Sequence, residues 1–162
     1  MIEIRAAEPG DVEAIIDVGR DALYAAYGGF VRPENVESAI GEWYDPELIE
    51  TAIEAGEIAF YVAVAEGVVG FASAERTWAD EVELHAIYVH PDRWGEGIGS
   101  ALLERLVQWA RQQGVDRIAC SAFLDNTVGV EFLRSRGFEP GEEFETAVGA
   151  ERHPEREFEL AL

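Results

Sequence analysis

The sequence predicts a mixed α/β fold in which helices flank a mainly antiparallel sheet of six to seven strands, with one β-α-β crossover unit. Segments rich in β-forming residues alternate with stretches whose apolar residues recur at helical spacing. Their order is one strand, helices, three strands, helix, strand, helix and two strands. With 162 residues, 48% of them hydrophobic, the chain is expected to form a single domain over 1–162.

The first part of the chain predicts a short strand and three helices. Ile2–Arg5 alternates apolar and polar residues, as a strand does. Pro9 then opens a helix with an apolar stripe that ends at Gly28-Gly29. Two further helical pieces, Pro33–Ile40 and Pro46–Ala55, each begin with a proline, which the first turn of a helix tolerates.

The middle of the chain predicts a hairpin and a further strand. Ile58–Ala65 and Val68–Thr77 are rich in β-forming residues and are separated by the turn residues Glu66-Gly67. Val82–His90 follows as the next strand. These three segments predict an antiparallel core for the sheet.

The last part predicts the crossover and the end of the sheet. The helix Gly97–Gln113 and the strand Val115–Ala122 follow Val82–His90, which makes a β-α-β unit. Asp125–Arg136 is a second helix, and two strands follow from Phe138, the last near Glu155–Leu162.

The charge excludes several classes of function. Twelve basic residues, all arginine, stand against 33 acidic residues and give a net charge of −21. Nucleic acids and anionic membranes need clustered positive charge, so neither is expected as a partner. Phosphate loops and Schiff-base enzymes need a lysine, which the chain lacks. With no signal-peptide pattern and no run of 18 apolar residues, a cytoplasmic protein is expected.

The acidity has two interpretations. The acids are scattered, and an acid-rich, lysine-free composition is typical of proteins from extreme halophiles, so we expect a halophilic archaeal source. A dedicated site for a cationic partner is the alternative. The single cysteine, Cys120, excludes an internal disulfide and is interpreted as a core residue. His85, His90 and His153 lack a metal-binding spacing, and no metal is expected.

A glycine-rich loop joins the predicted strand Val82–His90 to the next helix. Gly95, Gly97 and Gly99 let the backbone approach a ligand closely, and the helix start adds N–H donors, which together form a diphosphate cradle. Ser100 breaks the dinucleotide-binding pattern, which requires a glycine there. A tight turn without a ligand is the alternative.

Two segments resemble the GNAT superfamily of N-acetyltransferases. Tyr88-Val89-His90-Pro91 with Trp94-Gly95-Glu96-Gly97-Ile98-Gly99-Ser100-Ala101-Leu102-Leu103 looks like its acetyl-CoA loop. Asn126–Phe138 is similar to a second segment of that superfamily, N-x-x-A-x-x-F-Y-x-x-x-G-F. The resemblance implies acetyl transfer from acetyl-CoA, as co-substrate, to a primary amine by direct attack in a ternary complex.

The resemblance also implies which residues contact the cofactor. Backbone groups of one of two splayed parallel strands would pair with the pantetheine arm, and the glycine loop would hold the diphosphate. The implied residues are Ile87, Tyr88, Val89, Arg93, Trp94, Gly95, Glu96, Gly97, Ile98, Gly99, Ser100, Asn126 and Phe132. Asn126 is equally interpreted as a helix N-cap, and the two roles are compatible.

Two residues are candidates for the base that deprotonates the amine, Glu83 and His85. Glu83 matches the position of the catalytic glutamate in the histone-acetylating branch of the superfamily and is preferred. On a regular strand Glu83, His85, Ile87 and Val89 share one face, so both candidates would line the acyl end of the tunnel. Each is alternatively an ordinary strand residue. The base acts directly or through water.

One departure from the family pattern weakens the catalytic interpretation. The tyrosine that usually protonates the departing thiolate maps onto Leu133, which carries no proton, so the acid is unassigned. Two alternatives stay open: a non-catalytic acyl-CoA-binding regulatory module, and a nucleotide-binding domain that uses the same cradle. The acceptor amine is also open, and so is assembly into a homodimer.

The charge leads to a first prediction. Raising KCl from low concentration to about 1 M shortens the Debye length to about 3 Å and screens the repulsion among the acids. We therefore expect the melting temperature to rise steadily with KCl and to change little in an uncharged osmolyte at matched osmolality. A melting temperature that is independent of KCl would contradict the halophile interpretation and favour a localised cation site.

Overall fold

A computed structural model describes residues 1–78 and 80–162 and confirms the predicted fold class. Its strands are β1 Glu3–Ala6, β2 Ile58–Val64, β3 Val68–Trp78, β4 Glu81–Val89, β5 Arg117–Phe123, β6 Glu139–Val148 and β7 Glu151–Ala161. Its helices are α1 Val12–Tyr27, α2 Pro33–Trp43, α3 Pro46–Ala55, α4 Ile98–Gln112 and α5 Thr127–Ser135. Within this described part, no helix has the length and hydropathy needed to cross a membrane.

The strands form one sheet in the order β1-β2-β3-β4-β5-β7-β6. Every neighbouring pair is antiparallel except β4 and β5, which α4 connects as the predicted crossover. The register of this parallel pair contains three residue pairs, of which Glu83↔Ala119 is the last. Beyond that level β4 and β5 diverge and leave a gap in the middle of the sheet.

The helices cover both faces of the sheet. One core cluster packs α4 against the sheet through Ile98, Leu102 and Leu106. The other packs α1, α2 and α3 against the opposite face through Ile15, Ile40 and other apolar residues. Each helix turns its apolar stripe toward the sheet, because that removes the largest apolar area from water.

A β-bulge interrupts β4 beside the gap. Ser73 of β3 pairs with Ala86, while the next residue, Ala74, pairs with Leu84. His85 is therefore an extra residue on β4 with no opposite partner on β3. Such an insertion shifts the two-residue alternation of side chains by one position.

Because of this bulge, the side chains of β4 lie on different faces of the sheet from those predicted. The cluster on the α4 face contains Val82, Leu84, Ile87 and Val89. The cluster on the α1 face contains Ala86 and Tyr88. Glu83, which alternates with Val82 and Leu84, therefore points away from the face of Ile87 and Val89. The prediction that Glu83 and His85 share a face with Ile87 and Val89 was wrong, because it assumed a regular strand.

Hydrogen bonds tie the start of α2 to the β6–β7 turn. The Asn35 side-chain carbonyl accepts from the Ala150 N–H (3.0 Å), and the Glu151 carboxylate accepts from the Arg32 N–H (2.8 Å) and from the Asn35 amide. These donors, the Asn35 amide foremost, lower the pKa of Glu151. The turn itself requires Gly149, whose φ is +61°. β7 consequently begins at Glu151, four residues before the predicted strand near Glu155.

This contact leads to a prediction for Gly149→Ala. A Cβ at Gly149 would lie 2.4 Å from the Asn35 side-chain oxygen, in addition to the cost of a positive φ. We expect the free energy of unfolding in urea to fall by about 2–4 kcal/mol. Gly56→Ala is the matched control, since Gly56 has φ +72° and no atom within 4 Å of the added Cβ. Its free energy of unfolding should fall by only about 1–2 kcal/mol. Equal losses in the two variants would show that the Asn35 contact contributes nothing.

Candidate functional site

The gap between β4 and β5 opens into a cavity of about 310 Å³, which we call the gap cavity. Residues 84–89 of β4 and 120–122 of β5 form its two sides. The loop and helix start at 93–95 and 97–100 close one end, and α5 lines it through residues such as Phe132 and Leu133.

The β4 backbone presents polar groups to this gap. The His90 N–H donates to the Val69 carbonyl on β3 (2.8 Å), so alternation directs the backbone groups of Ile87 and Val89 away from β3 and into the gap. The indole N–H of Trp94 donates to the Val89 carbonyl (2.8 Å) and so anchors the loop to the strand. The Val89 N–H and the amide groups of Ile87 therefore lie where an extended amide-containing ligand would pair with them.

The glycine loop turns its backbone toward the same cavity. Gly95 and Gly97 have φ values of +83° and +82°, a region that side chains other than glycine rarely adopt. Gly97 is the N-cap of α4, so the unpaired N–H groups and the positive dipole end of this helix meet the cavity. A Cβ at either glycine would meet no protein atom within 4 Å. The space beside them is open to a ligand.

Two arginines give the mouth of the gap cavity a positive charge in an otherwise acidic protein. Arg93 and Arg136 both line it. The Arg136 guanidinium lies over the Phe132 ring, 5.3 Å from its centroid, and donates to the Ser100 hydroxyl. Arg93 pairs with Glu96 (3.1 Å), and Glu96 does not line the cavity. An anionic ligand would find its counter-charges here.

Close packing of α5 on α4 holds this end of the cavity in shape. A Cβ on Gly99 would lie 3.0 Å from the Phe132 ring, so a larger residue there would have to push the ring back by a few tenths of an ångström. Asn126 caps α5 by accepting from the Gly129 N–H (3.1 Å), and it also lines the cavity. The structure thus shows the N-cap role, and the position of Asn126 beside the cavity is compatible with a cofactor contact.

A second cavity of about 380 Å³ lies on the α1 face of the sheet, and we call it the aromatic cavity. Seven aromatic rings line it: Tyr27, Trp43, Tyr44, Phe60, Phe71, Tyr88 and Phe123. It shares a wall with the gap cavity, formed by Tyr27, Leu84, His85, Ala86, Tyr88 and Ser121. Two ligands could therefore meet across this shared wall.

The shared wall carries groups that can exchange protons. His85 Nε2 lies 2.8 Å from an oxygen of Glu75, which orients the ring. The hydroxyls of Tyr27 and Tyr88 are 3.4 Å apart. Burial raises the pKa of Tyr27 well above its usual value, and the neighbouring Tyr88 is the next largest cause. Burial also raises the pKa of Tyr88. Both phenols remain protonated at neutral pH.

Two carboxylates belong to the aromatic cavity. Glu83 lines it from β4 and is exposed. Glu155 lines it from β7 and is held by two hydroxyl donors, Ser121 (2.9 Å) and Thr146 (2.6 Å). Neither carboxylate lines the gap cavity.

The structure brings most of the predicted residues together. All the predicted cofactor-binding residues except Glu96 line the gap cavity, together with His85, whereas Glu83 lines the aromatic cavity. Among the lining residues that sequence reasoning missed, three carry polar or charged groups of functional interest: Ser121, Arg136 and Glu155. Arg136 ends the predicted helix Asp125–Arg136, and no motif marks it as a ligand-binding residue. Ser121 and Glu155 sit on strands with no motif, so their only signal is the pairing of β5 with β7.

Comparisons with known proteins point to one family. A model of the Acetyltransferase (GNAT) family matches residues 23–138. The chain is 28% identical over 129 residues to an uncharacterised N-acetyltransferase of Methanocaldococcus jannaschii, which covers 75% of this chain. It spans 55% of the length of that relative. It is 29% identical over 142 residues to a spermidine N(1)-acetyltransferase of Thermoplasma acidophilum, covering 85% of this chain and 88% of that protein.

A solved structure shows the same architecture. The PaiA N-acetyltransferase from Thermoplasma acidophilum, crystallised in complex with coenzyme A, matches with a TM-score of 0.85 and 26% identity. The match covers 97% of this chain and 98% of that one. In the chain described here, a splayed strand pair, a glycine loop and two arginines provide the features that such a cofactor needs.

The loop geometry leads to a prediction for Gly97→Val. The new side chain would enter the space beside the loop backbone, where a diphosphate would approach. We expect the affinity for coenzyme A, measured by calorimetry, to fall by at least about 100-fold, a loss of about 2.8 kcal/mol.

Gly114→Val is the matched control for backbone strain. Gly114 has φ +77° and no atom within 4 Å of an added Cβ, and it lines neither cavity. This variant should lose similar stability and keep its affinity. An unchanged affinity in Gly97→Val, or an equal loss in both variants, would remove the diphosphate cradle from the account.

Proposed function

The chain belongs to the GNAT acetyltransferase family, with acetyl-CoA as co-substrate, and we propose that it acetylates a primary amine by direct attack within a ternary complex. One observation carries this proposal: the gap cavity and the aromatic cavity meet at a shared wall. Acetyl-CoA in the first and an amine in the second would be held together, which removes the entropy cost of their encounter.

The gap cavity fits the cofactor along its length. Arg93, Arg136 and the N-terminus of α4 would hold the phosphates. The backbone of Ile87 and Val89 would pair with the amides of the pantetheine arm, and the acetyl group would reach the shared wall. The other residues proposed to contact the cofactor are Tyr88, Trp94, Gly95, Gly97, Ile98, Gly99, Ser100, Asn126 and Phe132.

Direct attack is favoured over an acetylated enzyme. Cys120 is the only thiol of the chain and lines the gap cavity. Burial, with the nearby Glu83 as a smaller cause, raises its pKa to about 12. A thiol rather than a thiolate is present at neutral pH, and the thiol is a poor nucleophile.

The acceptor must lose a proton before its nitrogen attacks, because an alkylammonium has no lone pair. His85 borders both cavities and is oriented by Glu75, whereas Glu83 borders the aromatic cavity only. The bulge thus moves the preferred base from Glu83 to His85, a residue type that exchanges protons near neutral pH. Glu83 would attract the incoming ammonium from the solvent side.

The departing thiolate needs a proton from another residue than Leu133. Leu133 is buried against the gap cavity at the position of the family's tyrosine. Tyr27 and Tyr88 lie on the shared wall with their hydroxyls protonated. They are the phenols proposed to supply the proton or to hydrogen-bond the sulfur.

An amine acceptor is consistent with the activity of one relative. This relative is a spermidine N(1)-acetyltransferase, which acts on an amine. Leu133 motivates a second candidate, an acyl-CoA-binding module without catalysis. Release of CoA thiol in the presence of amines separates the two functions.

The assignment of the base leads to a prediction for His85→Gln. Glutamine keeps a polar side chain of similar reach but does not accept the proton. We expect kcat/KM to fall by about 100-fold or more, with the affinity for coenzyme A unchanged. The limb of the pH–rate profile that reports deprotonation of the base should disappear.

Glu83→Gln is the comparison variant, since Glu83 lies two residues away on the same strand. Its kcat/KM should fall by less than about tenfold, and its pH–rate profile should keep its shape. The reverse pattern would identify Glu83 as the base. If neither variant changes the profile, water or the substrate carries the proton and the assignment to β4 is wrong.

A further inference from the structure

We infer that the aromatic cavity selects an acceptor that bears a second positive charge and no carboxylate, and that Glu155 binds this second charge. The inference rests on the proposed function, because it takes the aromatic cavity as the acceptor site. It adds the chemistry of the part of the acceptor that does not react.

The first argument is the charge of the lining. Glu83 and Glu155 contribute two carboxylates, and no arginine of the described residues lines the cavity. An acceptor that carries a carboxylate, such as an amino acid, would bring a third negative charge between them. Repulsion at this partly enclosed site would be weakly screened, so such acceptors would be rejected.

The second argument is the way in which Glu155 is held. The Ser121 hydroxyl donates to one carboxylate oxygen and the Thr146 hydroxyl to the other. Both donors are neutral, and in the described part of the chain no cationic side chain pairs with Glu155. Each oxygen keeps a further acceptor position. The half-buried carboxylate is therefore held in place by its two donors, but the protein does not neutralise its charge. A cationic group of a ligand would pair with it.

The third argument is the position of Glu155 relative to the reacting groups. Ser121 forms part of the shared wall and also holds Glu155. Glu155 is also one of the charges that raise the pKa of Tyr27 and Tyr88, so its field reaches the wall. An amine that reacts at the wall and a second ammonium at Glu155 would thus belong to one short molecule.

The fourth argument is the nature of the walls between these charges. Phe60 and Phe71 stack with their ring centroids 6.0 Å apart, and Tyr44 meets Phe71 edge to face at 6.0 Å. Such walls favour a flexible alkyl chain, and ring faces also attract cations. By register Glu83 and Glu155 lie four residues apart along β5, roughly 13 Å in the strand direction. The cavity therefore combines an apolar middle with anionic ends.

Three matched amines test the inference through release of CoA thiol. The probes are 1,5-diaminopentane, pentylamine, which lacks the second amine, and lysine, which adds a carboxylate to the diamine. We expect kcat/KM for the diamine to exceed that for each of the other two by at least about tenfold. Lysine turned over as well as the diamine would overturn the inference.

Variants test the role of Glu155. Glu155→Gln should lower kcat/KM for the diamine about 10- to 100-fold more than kcat/KM for pentylamine, mainly through KM, because only the diamine carries the second charge. Thr146→Val removes one of the two donors to Glu155, and it should lower kcat/KM for the diamine by a smaller factor. Glu157→Gln is the control, because Glu157 is exposed on the same strand and lines neither cavity. An equal loss for diamine and pentylamine in Glu155→Gln would overturn the assignment of Glu155 to the second charge.

Calorimetry separates failure of the inference from failure of the proposed function. With the CoA-loaded protein, 1,5-diaminopentane should bind to the wild type at least about tenfold more tightly than to Glu155→Gln. If no amine releases thiol but this difference in binding is found, the catalytic proposal fails while the assignment of the second positive charge to Glu155 stands. Equal binding to the two proteins overturns the inference whatever the turnover.

Discussion

The divergence of β4 from β5 is the constraint on which the site depends. Their parallel pairing ends at Glu83↔Ala119, and beyond it the backbone groups of Ile87 and Val89 face a gap instead of a strand. Polar backbone groups inside a sheet need partners. An extended, amide-containing cofactor would provide them, and for this reason we propose the interruption of the sheet as its binding site. The packing of Phe132 on Gly99 keeps α4 and α5 close together beside this gap.

The bulge at His85 joins this gap to the other face of the sheet. One extra residue reverses the alternation of β4, so that Ile87 and Val89 join Val82 and Leu84 on the α4 face while Ala86 and Tyr88 turn to the α1 face. His85 consequently borders both cavities. Leu84, Ala86 and Tyr88 of the same strand border both cavities as well, so this stretch of β4 is the wall between them.

The charges are divided between the cavities in a way that the net charge of −21 hides. Two arginines, Arg93 and Arg136, line the gap cavity, where phosphates would lie. Two carboxylates, Glu83 and Glu155, line the aromatic cavity, where an ammonium group would lie. Local charge of opposite sign would therefore direct an anionic cofactor and a cationic acceptor to different cavities.

The sequence by itself determined the order of strands and helices, the crossover unit and the glycine loop. Apolar periodicity and glycine spacing are local properties, so Gly95 and Gly97 could be predicted as a backbone cradle from their neighbours alone. The tertiary structure alone decided the rest. The bulge at His85 depends on the register with β3, which no residue of β4 encodes by itself. Glu155 reaches the aromatic cavity only because β7 inserts between β5 and β6, more than sixty residues after Glu83 in the chain. Register and strand order are set by the packing of the whole sheet, and for that reason the acceptor side of the site could not be predicted from local patterns.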